Sequence, residues 1–525
     1  MLCHLSVIKP TTSFVYPILL RSREQGHCHL CDICCSQTAQ LNCCRGFVVM
    51  TKDILACRSH RNRATATHRI TSCALIVLIA LVAVLVPLQI EAFPLGGDQT
   101  VLPSGTEFSE EALAKPRELF HSEAMGGHKS YLVNLGDLAF NSPSILGGKA
   151  RQAEMSCGTC HVNGTSNPKL FVPGASSRPG TFDTTSLMFN PKAFNSILDP
   201  VRIPSLRGAR FLAPYGHDGR ITSLRDFIYN VIVNEFQGPR PSDAVLDGLV
   251  AYINDIDFLP NPRLAPGGML TAQASAAERH GEQLFFKPFP HQPQLNCATC
   301  HVPTGVFTDQ ARHDVGSGGL VKTPTLLNAN FNAPYFHDGR YDTYEEVVGH
   351  FDRIFDLGLS SQDTQNLVAY LTAIGDGDRP FDKDGVAIRM KEVRELASVL
   401  ELAIPAADTT VVSLAVTGVG AELRELTEHI PDIRYASVGG QEERLAARTA
   451  VKDLVLNLRR IDLAVAAGHL DEAMAEYETF SMLATFDVPV ALKKAEPWSL
   501  FNANIHQSHY AALGRMLQST AKQSQ

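Results

Sequence analysis

The residues in this sequence best suited to chemistry form two copies of one motif, Cys-x-x-Cys-His, at residues 157–161 and 297–301. Two thiols three residues apart on one helical turn can add to the two vinyl groups of a single haem, and the adjacent histidine then binds the iron. Nine of the thirteen cysteines precede residue 74, so no cysteine beyond that position is left over for a disulfide. The sequence therefore predicts two covalently bound haem c groups. The predicted attachment residues are Cys157, Cys160, Cys297 and Cys300, and the predicted proximal iron ligands are His161 and His301.

A thioredoxin-like redox pair and half a zinc site are the alternatives for such a motif. The thioredoxin alternative requires a βαβ context, which is absent around these motifs. A zinc site would require the two cysteine pairs to converge, but each pair belongs to its own domain-sized repeat. Haem attachment is the interpretation that fits both motifs.

An internal repeat surrounds the motifs. The segment 203–220 recurs as 323–340, with equivalent residues 120 positions apart. Each copy opens with a helix-like segment in which a glycine and a phenylalanine lie four residues apart. Each copy later has an apolar-periodic segment that carries a tyrosine, Tyr252 or Tyr370. A glycine on the first helix would let the second helix cross it closely.

The predicted fold is mainly α, with two tandem class I-like cytochrome c domains and a C-terminal helical extension. The domains are expected at residues 94–260 and 261–385, on either side of a linker rich in proline and glycine. Residues 386–525 contain no haem motif, but their apolar residues recur with helical spacing. The purpose of this extension does not follow from the sequence.

The two copies differ at the position expected to provide the sixth iron ligand. Thirteen residues after His217 the sequence has Asn230, and thirteen after His337 it has His350. Histidine is a strong iron ligand, so His350 is the predicted distal ligand of the second haem. The first haem would then be open and able to bind peroxide or oxygen. The alternative for His350 is a packed or solvated side chain.

Proton transfer at an open haem requires a positioned acid or base. Glu235 is the candidate carboxylate, with a surface glutamate as the alternative, and His217 is the second candidate catalytic residue. Since both copies have this histidine, His217 and His337 are also candidates for a shared structural role, such as binding a haem propionate or bracing a turn. Arg220 and Arg340 are the predicted propionate partners.

The N-terminal part contains one long apolar run, residues 73–88, with basic residues before it and a small residue near Ala92. This pattern predicts an export signal within residues 50–92, or a membrane anchor if the segment is not cleaved. Both alternatives place the rest of the chain outside the cytoplasm. Residues 1–49 fit poorly before such a signal and are interpreted as non-native. The net charge of −8 and the absence of a basic tract do not indicate nucleic-acid binding.

Together these motifs resemble the bacterial di-haem cytochrome c peroxidases and the related enzyme that matures the tryptophan-derived cofactor of methylamine dehydrogenase. Residues 135–143 and the first haem motif resemble the opening of the family's N-terminal domain, and residues 324–339 resemble its C-terminal domain. The resemblance covers about residues 130–375. It implies a periplasmic enzyme whose N-terminal haem reduces hydrogen peroxide. The C-terminal haem would take electrons from a small donor, a cytochrome c or a cupredoxin.

The resemblance also bears on single residues. His350 occupies the place where the peroxidases have a methionine and the cofactor-maturing relative a tyrosine, and Glu235 falls two residues from the family's catalytic glutamate. The family's calcium is approached by backbone oxygens near Asn332 and Pro334, which makes calcium a candidate ion here. A homodimer is the candidate assembly.

Three departures separate this sequence from the family pattern. No histidine lies between His161 and His217, so the family's switchable distal histidine is missing. The tryptophan between the haems is also missing, and residues 386–525 have no counterpart. Two other functions therefore stay open. One is the oxidation of a protein or organic partner, with the extension as a docking module. The other is a non-enzymatic di-haem electron carrier, in which Met188 or another group closes the first haem.

Overall fold

The computed structural model describes residues 114–116, 118–378, 381–432, 434, 438–506 and 508. Residues 1–49 and the predicted signal or anchor at 50–92 lie outside this part of the chain. Within the described residues, none of the helices combines the length and the apolar character needed to cross a membrane.

The chain is mainly helical, as predicted. Six helices belong to the first copy: α1 His121–Ala124, α2 Tyr131–Phe140, α3 Gly148–Gln152, α4 Cys157–Cys160, α5 Leu224–Asn230 and α6 Asp243–Asp255. Four belong to the second copy: α7 Ala276–Phe285, α8 Cys297–Cys300, α9 Tyr344–Phe355 and α10 Ser361–Ile374. The extension contains α11 Val386–Ala397, α12 Leu400–Ala403, α13 Thr409–Glu428, α14 Gln441–Ala466, α15 Leu470–Met482 and α16 Val488–Ala495.

The strands form short two-stranded antiparallel ladders. β1 (Ala114–Pro116) pairs with β6 (Phe381–Lys383). β2 (Thr181–Phe182) pairs with β3 (Val201–Arg202), and β4 (Arg312–His313) pairs with β5 (Val321–Lys322). The β2–β3 ladder belongs to the first copy and the β4–β5 ladder to the second, so the repeat seen in the sequence is also a repeat of local structure.

Helices α5 and α9 begin at equivalent positions of the repeat. The side chain of Ser223 accepts a hydrogen bond from the Asp226 N–H at the start of α5, and that of Thr343 accepts one from the Glu346 N–H at the start of α9. These hydroxyls satisfy amide groups that have no partner within the helix. Their positions, 120 residues apart, fix the alignment of the two helices. In the first copy a π-helical turn, Val231–Glu235, continues α5.

The predicted close crossing of helices is confirmed in both copies. A Cβ atom added to Gly136 of α2 would lie 2.0 Å from the carbonyl oxygen of Gly248 on α6. A Cβ atom added to Gly281 of α7 would lie 2.0 Å from the carbonyl oxygen of Asn366 on α10. Only glycine allows backbones to approach this closely. The tyrosines of the crossing helices, Tyr252 and Tyr370, are fully buried.

Two hydrophobic cores form around these crossings. One contains residues of the first copy together with residues of α11–α16, and the other contains residues of the second copy. The extension therefore packs on the first copy: the position of Gly418 on α13 lies directly against Leu138 of α2, and Lys391 of α11 forms a 3.1 Å ion pair with Glu123. The apolar faces of the extension helices thus form one hydrophobic core with the first copy.

Candidate functional site

Each Cys-x-x-Cys-His motif forms a single helical turn. Helices α4 and α8 contain only the four residues from the first cysteine to the second. A capping box fixes each turn, through Ser156 and Thr159 in the first and Asn296 and Thr299 in the second. Both thiols of a motif are thereby presented from one turn, as attachment to a single haem requires.

Burial changes the acidity of these thiols. It raises the pKa of Cys157, Cys160 and Cys297 to about 12, and it also raises the pKa of Cys300. A zinc ligand or a redox-active cysteine acts as a thiolate and is found where its pKa is lowered. The surroundings of these cysteines therefore differ from those of a redox-active cysteine pair, whose attacking thiol has a lowered pKa.

The two motif histidines are oriented by backbone carbonyl groups. Nδ1 of His161 lies 3.0 Å from the oxygen of Thr165, and Nδ1 of His301 lies 3.1 Å from the oxygen of Phe307. Burial lowers the pKa of both imidazoles, so both are neutral at pH 7. A neutral ring that donates from Nδ1 keeps Nε2 available as a metal ligand. Both residues therefore fit the predicted role of proximal ligand.

A cavity opens beside the second motif and combines residues from both copies. Cys297, Cys300 and His301 line it, together with one face of α9. The apolar part of the wall includes Phe289, Val315, Val347, Phe351, Phe355 and Leu357. Such a largely apolar cavity with a few polar groups is typical of a cofactor site.

Basic residues gather in another part of the same cavity. Arg202 and His217 come from the first copy, and Lys322 and His337 from the second. Burial and the neighbouring Arg202 lower the pKa of His217 to about 4, so this imidazole is neutral. Nε of Arg202 and Nδ1 of His337 are buried without a hydrogen-bond partner among the described residues. Buried donors of this kind normally have a partner, and the propionates of a haem would provide one.

His217 was also a candidate catalytic residue of the first haem. The structure places it in the cavity of the second motif, where its Nε2 lies 2.7 Å from the carbonyl oxygen of Arg202. This position does not support a catalytic role at the first motif. It agrees instead with the alternative, a structural role close to a haem propionate.

The predicted propionate partners Arg220 and Arg340 lie elsewhere. Neither lines the cavity; Arg220 pairs with Asp218 and Glu235, and Arg340 pairs with Asp338. Their charges are already balanced by these carboxylates: Asp218 and Asp338 lie on the same turns as the arginines, and Glu235 ends the π-helical turn after α5. The roles of Arg220 and Arg340 as propionate partners stay predictions, and Arg202 and Lys322 are the arginine and lysine that line the cavity of the second motif.

His350 does not line the cavity either. Its Nε2 lies 2.7 Å from the carbonyl oxygen of Val315, and its Nδ1 lies 2.9 Å from the hydroxyl of Tyr341. The side chain is buried, 6% exposed, and packs edge-on against Phe336. Both ring nitrogens are occupied, so the structure gives no support to His350 as the distal iron ligand. The next residue, Phe351, faces the cavity in its place.

Glu235 lies at the end of the π-helical turn that follows α5. One carboxylate oxygen accepts hydrogen bonds from Arg220 at 2.6 Å and from the Asn230 amide at 2.9 Å. Its side chain is 17% exposed. With the 120-residue offset, Glu235 corresponds to Phe355, which lines the cavity of the second motif. Glu235 is thus an oriented carboxylate rather than a mobile surface side chain, and π-helical turns are frequent at functional sites.

The residues around Asn332 do not fit a calcium ion. The carbonyl oxygen of Asn332 accepts a 3.0 Å hydrogen bond from the guanidinium group of Arg202. At the equivalent place in the first copy, the ammonium group of Lys322 binds the carbonyl oxygens of Leu212 and, at 2.6 Å, Pro214. A positive side chain from each copy therefore binds the turn of the other. A calcium ion would have to displace the guanidinium, since like charges repel at this distance.

Arg202 and Lys322 are the charged residues of the cavity that motif analysis missed. They precede Ile203-Pro204 and Thr323-Pro324, so they are equivalent in the repeat. Their backbones are also equivalent: the Arg202 N–H donates to the His337 carbonyl at 2.7 Å, and the Lys322 N–H to the His217 carbonyl at 2.8 Å. Extending the repeat one residue upstream would have revealed both basic positions.

Comparison with known proteins agrees with this picture of the second copy. Residues 275–383 match the family profile described as di-haem cytochrome c peroxidase. This segment is therefore similar to a family whose description names two haems and peroxidase chemistry, in agreement with the resemblance that its motifs carry.

Individual relatives are more distant. The chain is 24% identical over 326 residues to hydrazine synthase subunit gamma of Kuenenia stuttgartiensis, a match that covers 50% of this chain and 83% of that protein. It is 33% identical over 67 residues to a cytochrome-c peroxidase of Pseudomonas sp. (strain SCT), which covers 11% of this chain and 18% of the peroxidase.

Two solved structures overlap with about half of the chain. One is Kuenenia stuttgartiensis hydrazine synthase pressurised with xenon, with a TM-score of 0.35, 22% identity, and coverage of 49% of this chain and 90% of that one. The other is a MauG-like protein associated with microbial copper homeostasis, with a TM-score of 0.33, 16% identity, and coverage of 49% and 92%. Both scores lie below 0.5, so neither likeness defines the fold.

Proposed function

We propose that this chain is an exported di-haem c-type oxidoreductase that reduces hydrogen peroxide at its N-terminal haem. One haem would be attached to Cys157 and Cys160, and the other to Cys297 and Cys300, in two tandem class I-like cytochrome c domains at residues 94–260 and 261–385. Haem iron bound to His161 would supply the redox chemistry at the first site. The second haem would relay electrons from a small donor protein, a cytochrome c or a cupredoxin, in the periplasm.

The observation that carries this proposal is the difference between the two copies at one position. The first copy has Glu235 where the second has Phe355. Reduction of peroxide to two waters consumes two electrons and two protons, so the site of reduction needs a group that transfers protons. A carboxylate serves this purpose, whereas a phenyl ring does not.

The neighbours of Glu235 are consistent with proton transfer. Arg220 and Asn230 both donate to Oε1. Two donors to one oxygen fix the carboxylate in place. Glu235 would accept a proton from peroxide and return it to the departing oxygen, acting as base and then as acid.

The proposal is tested by measuring haem content and peroxide turnover of the full-length protein and of Glu235→Gln. We expect two haems per chain in both proteins, and peroxide reduction with a reduced donor in the wild type alone. Glu395→Gln, on the extension, is a matched carboxylate change and should keep wild-type turnover. Absence of peroxide turnover in a protein that contains both haems would refute the proposed reaction.

A second candidate function follows from the longer of the two matches to known proteins. The similarity to hydrazine synthase subunit gamma spans half of this chain, whereas the similarity to the peroxidase spans 11%. Such a chain would act as one subunit of a larger enzyme. Met482, Phe486 and Val490 of the extension are each more than half exposed and follow one another at four-residue spacing, which offers an apolar surface for assembly. Mass determination of the complex purified from the native source distinguishes this candidate from a protein that acts alone.

A further inference from the structure

We infer that, among the residues that the structure describes, no side chain binds the distal side of the second haem, and that its iron is open to a small neutral ligand. The inference rests on the proposed attachment of haem at Cys297 and Cys300. It differs from the sequence-based expectation for the second haem, in which His350 closes the distal side.

The first step is the orientation of α9. Tyr344, Val347, Val348, Phe351 and Phe355 are spaced by three or four residues, share one face of this helix, and all line the cavity. No side chain in this set carries an imidazole or a thioether. The one hydroxyl, that of Tyr344, donates a 2.9 Å hydrogen bond to the Asn330 side chain.

The second step concerns His350, which lies beside this face. To bind iron, its ring would have to leave both the Val315 carbonyl and the Tyr341 hydroxyl. Breaking a buried hydrogen bond is costly when its partner is left unsatisfied. Aromatic rings contact His350 on three sides, with centroids of Phe336, Tyr341 and Phe351 within 5.5 Å. The surroundings fix this imidazole where it is.

The third step concerns the other cavity histidines. Nε2 of His313 lies 2.7 Å from the Asp309 carboxylate. The thiol of Cys300 lies close to both groups, so His313 is beside the haem-attachment turn. His217 binds the Arg202 carbonyl. The His337 carbonyl accepts a hydrogen bond from the Arg202 N–H, so His337 lies among the basic groups that fit propionates. The wall around Phe351 is apolar, and an apolar wall favours an uncharged ligand such as carbon monoxide or nitric oxide over an anion.

Carbon monoxide titration of the dithionite-reduced full-length protein tests the inference, with electron paramagnetic resonance of the ferric protein as a second readout. Phe351→Met places a thioether in the wall and is expected to lower carbon monoxide binding by about one equivalent per chain and to add a low-spin ferric signal. Phe351→Leu keeps the wall apolar and should bind as much carbon monoxide as the wild type. His350→Ala should also leave the amount bound and the low-spin signals unchanged.

Two results would overturn the inference. One is a gain of carbon monoxide binding and the loss of a low-spin signal in His350→Ala, which would make His350 the ligand. The other is unchanged binding in a Phe351→Met protein that retains two haems and the wild-type melting temperature, which would remove Phe351 from the distal side. Neither result depends on peroxide turnover or on Glu235, so the inference and the proposed reaction fail separately.

Discussion

Replacement of Gly281 by alanine tests the close helix crossing that shapes the second haem cavity. The added Cβ would lie 2.0 Å from the carbonyl oxygen of Asn366 and 2.7 Å from Cβ of Tyr370. Ordinary contact between such atoms begins at roughly 3.2 Å or more, so α7 and α10 would have to separate by about 1 Å. The same separation would disturb the cavity, because Leu367 and Leu371 of α10 line it.

The expected cost follows from these distances. Overpacking a well-packed core costs about 1–3 kcal/mol, and a forced shift of backbone against backbone lies at the upper end or above. Alanine returns up to about 1 kcal/mol through its greater helix propensity. We therefore expect Gly281→Ala to lower the free energy of unfolding by about 2 kcal/mol, a factor of about 30 in the folded-to-unfolded ratio.

Gly349 of α9 provides the matched control. A Cβ atom there would meet nothing closer than the Arg353 guanidinium at 3.7 Å, so Gly349→Ala should stabilise the protein by up to about 1 kcal/mol. Guanidinium-induced unfolding of both haem-loaded variants, followed by far-ultraviolet circular dichroism, measures the two effects. Equal stability of Gly281→Ala and Gly349→Ala would refute the argument from the crossing distance.

Further predictions concern the polar groups. Glu235→Gln should lower kcat for peroxide by about 10²–10⁴ without loss of haem, because an amide cannot transfer the proton. Lys322→Met should destabilise the protein by about 2–4 kcal/mol, since it removes the ammonium partner of two partly buried carbonyls, whereas the exposed Lys287→Met should have little effect. Removal of calcium with EGTA should leave the melting temperature unchanged, because side-chain cations already bind the carbonyls. Burial lowers the folded-state pKa of His217 to about 4, below an unfolded value of about 6.5. The unfolded chain therefore binds more protons between these values, stability falls as the pH decreases through this window, and His217→Gln should weaken that dependence.

Each of these predictions has a contradicting result. Wild-type turnover in Glu235→Gln would remove this carboxylate from the reaction. A Lys322→Met protein as stable as Lys287→Met would show that the two carbonyls have other partners. A melting temperature that drops with EGTA and recovers with calcium would establish a calcium site after all. Identical pH profiles of unfolding for the wild type and His217→Gln would mean that this imidazole does not contribute.

The second motif shows which features of a site can be predicted from sequence patterns. Cys297, Cys300 and His301 are predictable because the chemistry of attachment fixes their spacing on one helical turn. The crossing at Gly281 and Tyr370 is predictable for a similar reason, since both positions follow helical periodicity. His350 is different. Counting from His337 gives its place along the helix but not the direction of its side chain, and a change of one residue turns a helical side chain by about 100°.

The sequence by itself determined the local facts: two attachment motifs, a repeat of 120 residues, the mainly helical fold, and the similarity of residues 275–383 to the peroxidase family. Tertiary structure decided which groups meet. Arg202 and Lys322 are far from any motif in the chain, yet each enters the turn of the other copy, and His217 reaches the cavity of the second motif. Periodicity and spacing act within a few residues, whereas these contacts depend on how the two copies pack. For the same reason, only the packing of α9 shows that Phe351, and not His350, faces the site.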